Sequence, residues 1–156
     1  MVSINKSTVV QNIWKNFYDR LKDSVTSVTL SDSSVQIIQF YSAAFPDRPN
    51  ETKSDYPILI VNSPDIEWED FTFTKKWLIG TITIDIFTTK AESADLFIDA
   101  IINSIETYRD NFRDLGLMNV NLDSTSKDEF FRGKIKVHMK SCTFSFRYIF
   151  TKTNTY

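Results

Sequence analysis

Residues 77–88, WLIGTITIDIFT, are the segment that most restricts what this chain can fold into. Leu78, Ile82, Ile84 and Ile86 share one parity, while Trp77, Ile79, Thr81, Thr83 and Asp85 share the other. A period of two is the signature of a strand whose faces meet different surroundings. Thr89-Lys90-Ala91-Glu92 follows with capping-box spacing, in which the Thr89 hydroxyl and the Glu92 carboxylate each serve a free helix-start amide. Ile98, Ile101, Ile102, Ile105, Tyr108 and Phe112 then recur at helical steps. An alternating strand thus runs straight into an amphipathic helix across 77–112. From Lys90 to Arg113 the rod would be about 35 Å long at ~1.5 Å per residue. Gly116 is placed to end it in a left-handed cap. Gly80, in mid-strand, marks a bulge or a close backbone approach.

The remaining elements group around this unit. Val10, Ile13, Trp14, Phe17 and Leu21 predict a helix over 7–24, with Lys15, Asn16, Asp19, Arg20 and Lys22 on its polar face. Ser31-Asp32-Ser33-Ser34 reads as a turn. Residues 35–41 predict one short strand, 45–55 a surface loop, and 56–61 a central strand that is apolar on both faces. Residues 62–76 fit either the two arms of a protruding hairpin or a long loop. Three β segments follow, carried by Met118, Val120 and Leu122, by Ile135, Val137 and Met139, and by Cys142, Phe144, Phe146, Tyr148 and Phe150. The apolar parity flips between Met139 and Cys142, which predicts a tight turn or a bulge there. The order predicts a single α+β domain over 1–156: a mainly antiparallel sheet with two helices packed on one face.

Composition narrows the function. With 13 Phe, 6 Tyr and 3 Trp in 156 residues the chain can fill a core, and 3 Gly leave little for glycine-rich ligand loops. A net charge of −2 argues against gripping a phosphate backbone. No run reaches the ~18 consecutive apolar residues of a membrane helix, and MVSINKSTVV lacks the apolar centre of a signal peptide. Cys142 is the one cysteine and fits a small core residue in a reducing compartment.

Chemistry-bearing patterns are sparse. The single His138 lies between Lys136 and Lys140 and reads as a solvated strand residue. Asp65, Glu67 and Glu69 share a face if their segment is extended, with Asp70 beside them. Oxygen clusters of that kind hold hard cations, but on an edge strand they more often keep the edge solvated. Neither a P-loop nor a dinucleotide fingerprint is present. No catalytic residue, cofactor or metal is expected. Trp68, Phe71, Phe73 and Trp77 crowd one region, either folding back as core or forming a contact surface between subunits.

Taken in order, four segments carry a resemblance. They are the helix stripe of Val10, Ile13, Trp14 and Phe17, then Tyr56-Pro57-Ile58-Leu59-Ile60-Val61, then GTITIDIFTTKAESADLFIDAIINSI over 80–105, and lastly Thr143-Phe144-Ser145-Phe146-Arg147-Tyr148. Over nearly its whole length the chain resembles the tail terminator (tail completion) proteins of long-tailed bacterial and archaeal viruses. The likeness lies in element order and polarity, which neck and head-completion proteins of the same particles share, and another head-tail joining protein or a tail tube component is the first alternative. The polar loops at 31–34 and 123–128 have no counterpart in the family. The resemblance implies a structural virion protein, not an enzyme. Its identical subunits would form a ring, commonly of six, that ends the tail tube and docks it to the head connector. DNA would pass through without specific binding, and assembly would take place in the host cytoplasm. Asp65, Glu67, Glu69 and Asp70 would line the lumen or a rim against the tube. A small ligand-binding α+β domain is the alternative from another class.

Overall fold

The structure, a computed structural model, describes Ile4 and residues 7–41, 52–70 and 75–151. Among the described residues three helices and eight strands follow in the order α1 (Val9–Ser24), β1 (Ser27–Thr29), β2 (Val35–Ile37), β3 (Gln39–Tyr41), β4 (Ile58–Val61), β5 (Asp65–Asp70), β6 (Lys75–Thr88), α2 (Ala91–Thr107), α3 (Arg109–Asp114), β7 (Leu117–Arg132) and β8 (Ile135–Thr151). A short 3-10 turn, Lys53–Asp55, precedes β4.

The predicted strand at 77–88 is β6, and it organises the main sheet. Its 14 residues pair antiparallel with β8 in unbroken register from Lys75↔Thr151 to Thr88↔His138. On its other edge β6 holds two strands end to end, β4 opposite Ile84–Phe87 and β5 opposite Lys76–Thr81. The sheet order is β3-β4-β6-β8-β7, with β5 alongside β6. Only β3 and β4 run parallel. The α+β class and the antiparallel character expected from the sequence are both present.

The even-numbered side chains of β6 and β8 face the helices. Leu78, Ile82, Ile84, Ile86, Cys142, Phe144 and Phe146 meet Ile13, Phe17 and Leu21 of α1, Phe97, Ile101 and Ile105 of α2, and Phe112 of α3 in one core. Phe17 lies at its centre, stacked on Phe112 at 4.8 Å and tilted against Phe144 and Phe146.

The predicted bulge between Met139 and Cys142 is absent, since β8 runs straight through it against β6. The parity flips because the sheet has a second, smaller core on its other face. Tyr56, Ile58, Ile60, Phe87 and Val137 are buried there, with Ile135 and Met139 against them. The apolar residues of β8 therefore change side while the backbone does not. The same arrangement explains the apolar run of β4, whose Leu59 and Val61 join the first core and Ile58 and Ile60 the second.

Several expectations need correction. The strand predicted over 35–41 is split at Ile38. β2 pairs with β1 in a separate two-stranded ribbon, and β3 joins the main sheet. The buried stripe of α1 runs through Val9 and Asn16, leaving Val10 41% exposed. The long helix is two, broken at Tyr108 where ψ rises to 17°. The capping box does not form, because Glu92 accepts hydrogen bonds from the Ser31 amide and hydroxyl instead. The three C-terminal segments are two long strands, and the polar stretch 123–128 lies within β7. Of the predicted 45–55 loop, 52–55 form the turn, and the rest lies outside the described residues. The left-handed Gly116 (φ 93°) does follow the last helix.

Candidate assembly surface

Of the two expected readings the hairpin is present, but it lies within the main sheet and does not protrude: β5 folds back on β6 with Asp65 opposite Thr81 and Asp70 opposite Lys76, and β6 stays paired with β8 as far as Lys75. Strand alternation then sorts the predicted site residues. Trp68 is on the helix side of the sheet, half exposed, with its ring edge-to-face on Phe150 at 5.4 Å. Trp77 is on the opposite side, with the Arg147 guanidinium 5.9 Å above its ring. The two tryptophans share the arm but not a face. Phe71 and Phe73 lie outside the described residues.

Asp65, Glu67 and Glu69 do share a face, and all three are exposed. They flank Thr81, Ile79 and Trp77 on the side of the sheet away from the helices. Asp70 points to the other side and pairs with Lys76 at 3.4 Å. Among the described residues no three His, Cys, Asp or Glu side chains converge on a possible metal position.

The side of the sheet away from the helices has three zones along β6 and β8. At the β7–β8 end it carries the second core. Its middle is polar: Asp85 accepts from Asn62 and Ser141, and the Thr83 and Thr143 hydroxyls are 3.1 Å apart. At the β5 end it carries Trp77, Ile79 and Ile149 beside the three carboxylates.

The β7–β8 hairpin, which sequence reasoning missed, projects past the end of β6. Its strands pair down to Arg132↔Ile135, across the two-residue turn Gly133-Lys134. Gly133 has φ 62°, as a glycine at the first position of such a turn adopts. Phe131 stands at this tip 69% exposed, opposite Lys136, while Arg132 falls on the other face of the hairpin opposite Ile135. A glycine pair position between two β-rich runs is the signal that could have found it.

The remaining chemical groups are structurally occupied. His138 is more covered than expected, with a side chain 19% exposed and Nδ1 3.3 Å from the Glu129 carboxylate. Glu129 also pairs with Lys136 at 3.2 Å, and the hydrogen bond and charge of Lys136, with His138 helping, hold its carboxyl below the usual range. Cys142 donates to the Ile84 carbonyl, and burial, with the Asp85 charge adding, pushes its thiol up to about 12. A hollow of about 480 Å³ between α3 and β7 contains Arg109 and Arg113, but each pairs with a carboxylate three residues before it.

Architecture and surface together define an α+β domain with an exposed hairpin at one end of its main sheet and an acidic edge strand at the other. No protein-family model and no curated protein sequence matches the chain.

Proposed function

We propose that this chain is a structural subunit of a long-tailed virus, a tail terminator whose copies close into a ring at the end of the tail tube. Six copies is the expected number. The ring joins the tube to the head connector and stands in the tail or neck region of the virion. The observation that carries this reading is the sheet itself. The β7–β8 hairpin runs past Thr88, the last residue of β6, out to Arg132 and Ile135, while at the other end of β6 the edge strand β5 presents a row of exposed carboxylates. A domain that needed only its own core would not extend an exposed hairpin past its sheet, because ordering such residues costs entropy with little apolar area buried. Neighbouring subunits supply the missing contacts in a closed oligomer.

The exposed row of Asp65, Glu67 and Glu69 supports an arm at a lumen or rim. Carboxylates repel phosphate, so DNA passes without being held. The net charge of −2 suits the same role. Imaging purified tail tubes of the parent virus after adding the chain tests the proposal. Density capping one end of each tube is the expected result. Growth along the tube, or no attachment at either end, would assign the chain elsewhere.

A further inference from the structure

Resting on that ring reading, we infer that the β7–β8 tip of one copy seats on the β5–β6 arm of the next, Phe131 meeting the Trp77–Ile79 surface and Lys134 the carboxylates of Glu67 and Glu69. The occupant of the arm is thus a second copy of this chain.

The two surfaces match in polarity and in charge. The tip, residues 130–137, holds Arg132, Lys134 and Lys136, of which Lys136 is paired with Glu129 and Lys134 stands in the turn. Of its two aromatics Phe130 packs against the second core, and Phe131 is one of the most exposed large apolar side chains described. The arm, residues 65–81, holds four carboxylates against Lys75 and Lys76. Three of the four carboxylates stand on the face with Trp77 and Ile79, where Arg147 of β8 covers the Trp77 ring and leaves the carboxylates exposed along the β5 edge. Lys134 in the turn faces the exposed carboxylate row of β5, an arrangement that fixes register and speeds encounter.

A single chain cannot make this contact with itself. Glu67 is level with Ile79 and hence with Arg147, twelve residues along β8 from Ile135. At ~3.3 Å per residue that is roughly 40 Å of straight strand. Because tip and arm are different patches, the contact is heterologous. Such contacts close into rings when the rotation between copies allows, whereas a two-fold dimer would use the same patch twice. Placing Glu67 and Glu69 at the seam also selects the rim over the lumen for that carboxylate row.

Disulfide trapping tests the contact. Cys142 is fully buried and does not compete. A chain carrying both Lys134→Cys and Glu67→Cys, oxidised with copper phenanthroline, should give a ladder of trimers and larger species. Each single variant should stop at dimers. A double variant that also stops at dimers overturns the inference. Sedimentation of the wild type beside it separates the two proposals: a closed oligomer without a ladder removes this contact and leaves the ring standing. In a second arm, Lys134→Glu should raise the concentration needed for assembly about tenfold, as a lost interfacial charge pair does. Adding Glu67→Lys to the same chain should restore it, and failure of that restoration counts against the pairing.

Discussion

Phe146 lies where a side chain at Gly80 would stand. A Cβ built on Gly80 would come within 2.5 Å of the Phe146 ring and 3.0 Å of the Asp65 carbonyl oxygen. The glycine thus lets β8 close over β6 at the point where β5 begins. Gly80→Ala should destabilise the fold by about 1–3 kcal/mol, as overpacking does. Urea denaturation measures this, and adding Phe146→Leu should recover part of the loss. Equal stability of Gly80→Ala and wild type would mean that the ring moves aside freely.

Phe17 is the aromatic centre of the main core, fully buried among Phe112, Phe144 and Phe146. Phe17→Ala should cost about 3–5 kcal/mol, since neither the helices nor the sheet can collapse into the space without unseating the other. Thermal unfolding followed by circular dichroism reads the loss. A cost below that of an exposed substitution such as Val10→Ala would place the core elsewhere.

The Cys142 thiol titrates near 12, against 9.0 for the ordinary group. Below both values the thiol is neutral in the folded and unfolded chain alike, and its burial costs nothing in charge. Above about pH 9 the unfolded chain releases this proton and the folded chain keeps it, so stability falls as pH rises. Cys142→Ala should therefore lose less stability than wild type between pH 8.5 and 10.5. Parallel pH series of denaturation midpoints check this. The native thiol should also resist iodoacetamide at pH 8 and react once the chain is unfolded.

Reversing Asp65, Glu67, Glu69 and Asp70 to lysine should leave the midpoint of unfolding within about 1 kcal/mol, because exposed charges contribute little to stability. Under the proposed tail-terminator role, head-to-tail joining or DNA passage should fail. Normal yields of infectious particles from this variant would remove the carboxylate row from the function.

Much of the architecture can be read from local pattern. The alternation of β6 and the stripe of Ile98, Ile101 and Ile105 are consequences of burial on one face each, and burial on one face leaves a period in the sequence. What escaped depended on partners distant in the chain. Glu92 has the spacing of a cap, but Ser31, 61 residues away, takes its carboxylate. The stripe through Tyr108 and Phe112 continues across the helix break because spacings of three and four survive a local unwinding. Residues 123–128 are exposed on both faces of β7, so no apolar period marks them as strand. The acidic row at 65–69 was legible, since three carboxylates at alternate positions imply one face. The separation of Trp68 from Trp77 was not, because it requires the register of β5 on β6. Phe131 escaped for the same reason, as only the Gly133 turn and the long pairing of β7 with β8 bring it to a tip.

The central claim is that copies of this chain close into a ring. Mass photometry of the purified protein, alone and with tail tubes of the parent virus, measures it most directly. A discrete species at six times the 18.1 kDa chain mass, formed alone or on the tubes, is the predicted result. A chain that stays at 18.1 kDa in both conditions, or an open series of sizes with no closed species, would contradict it.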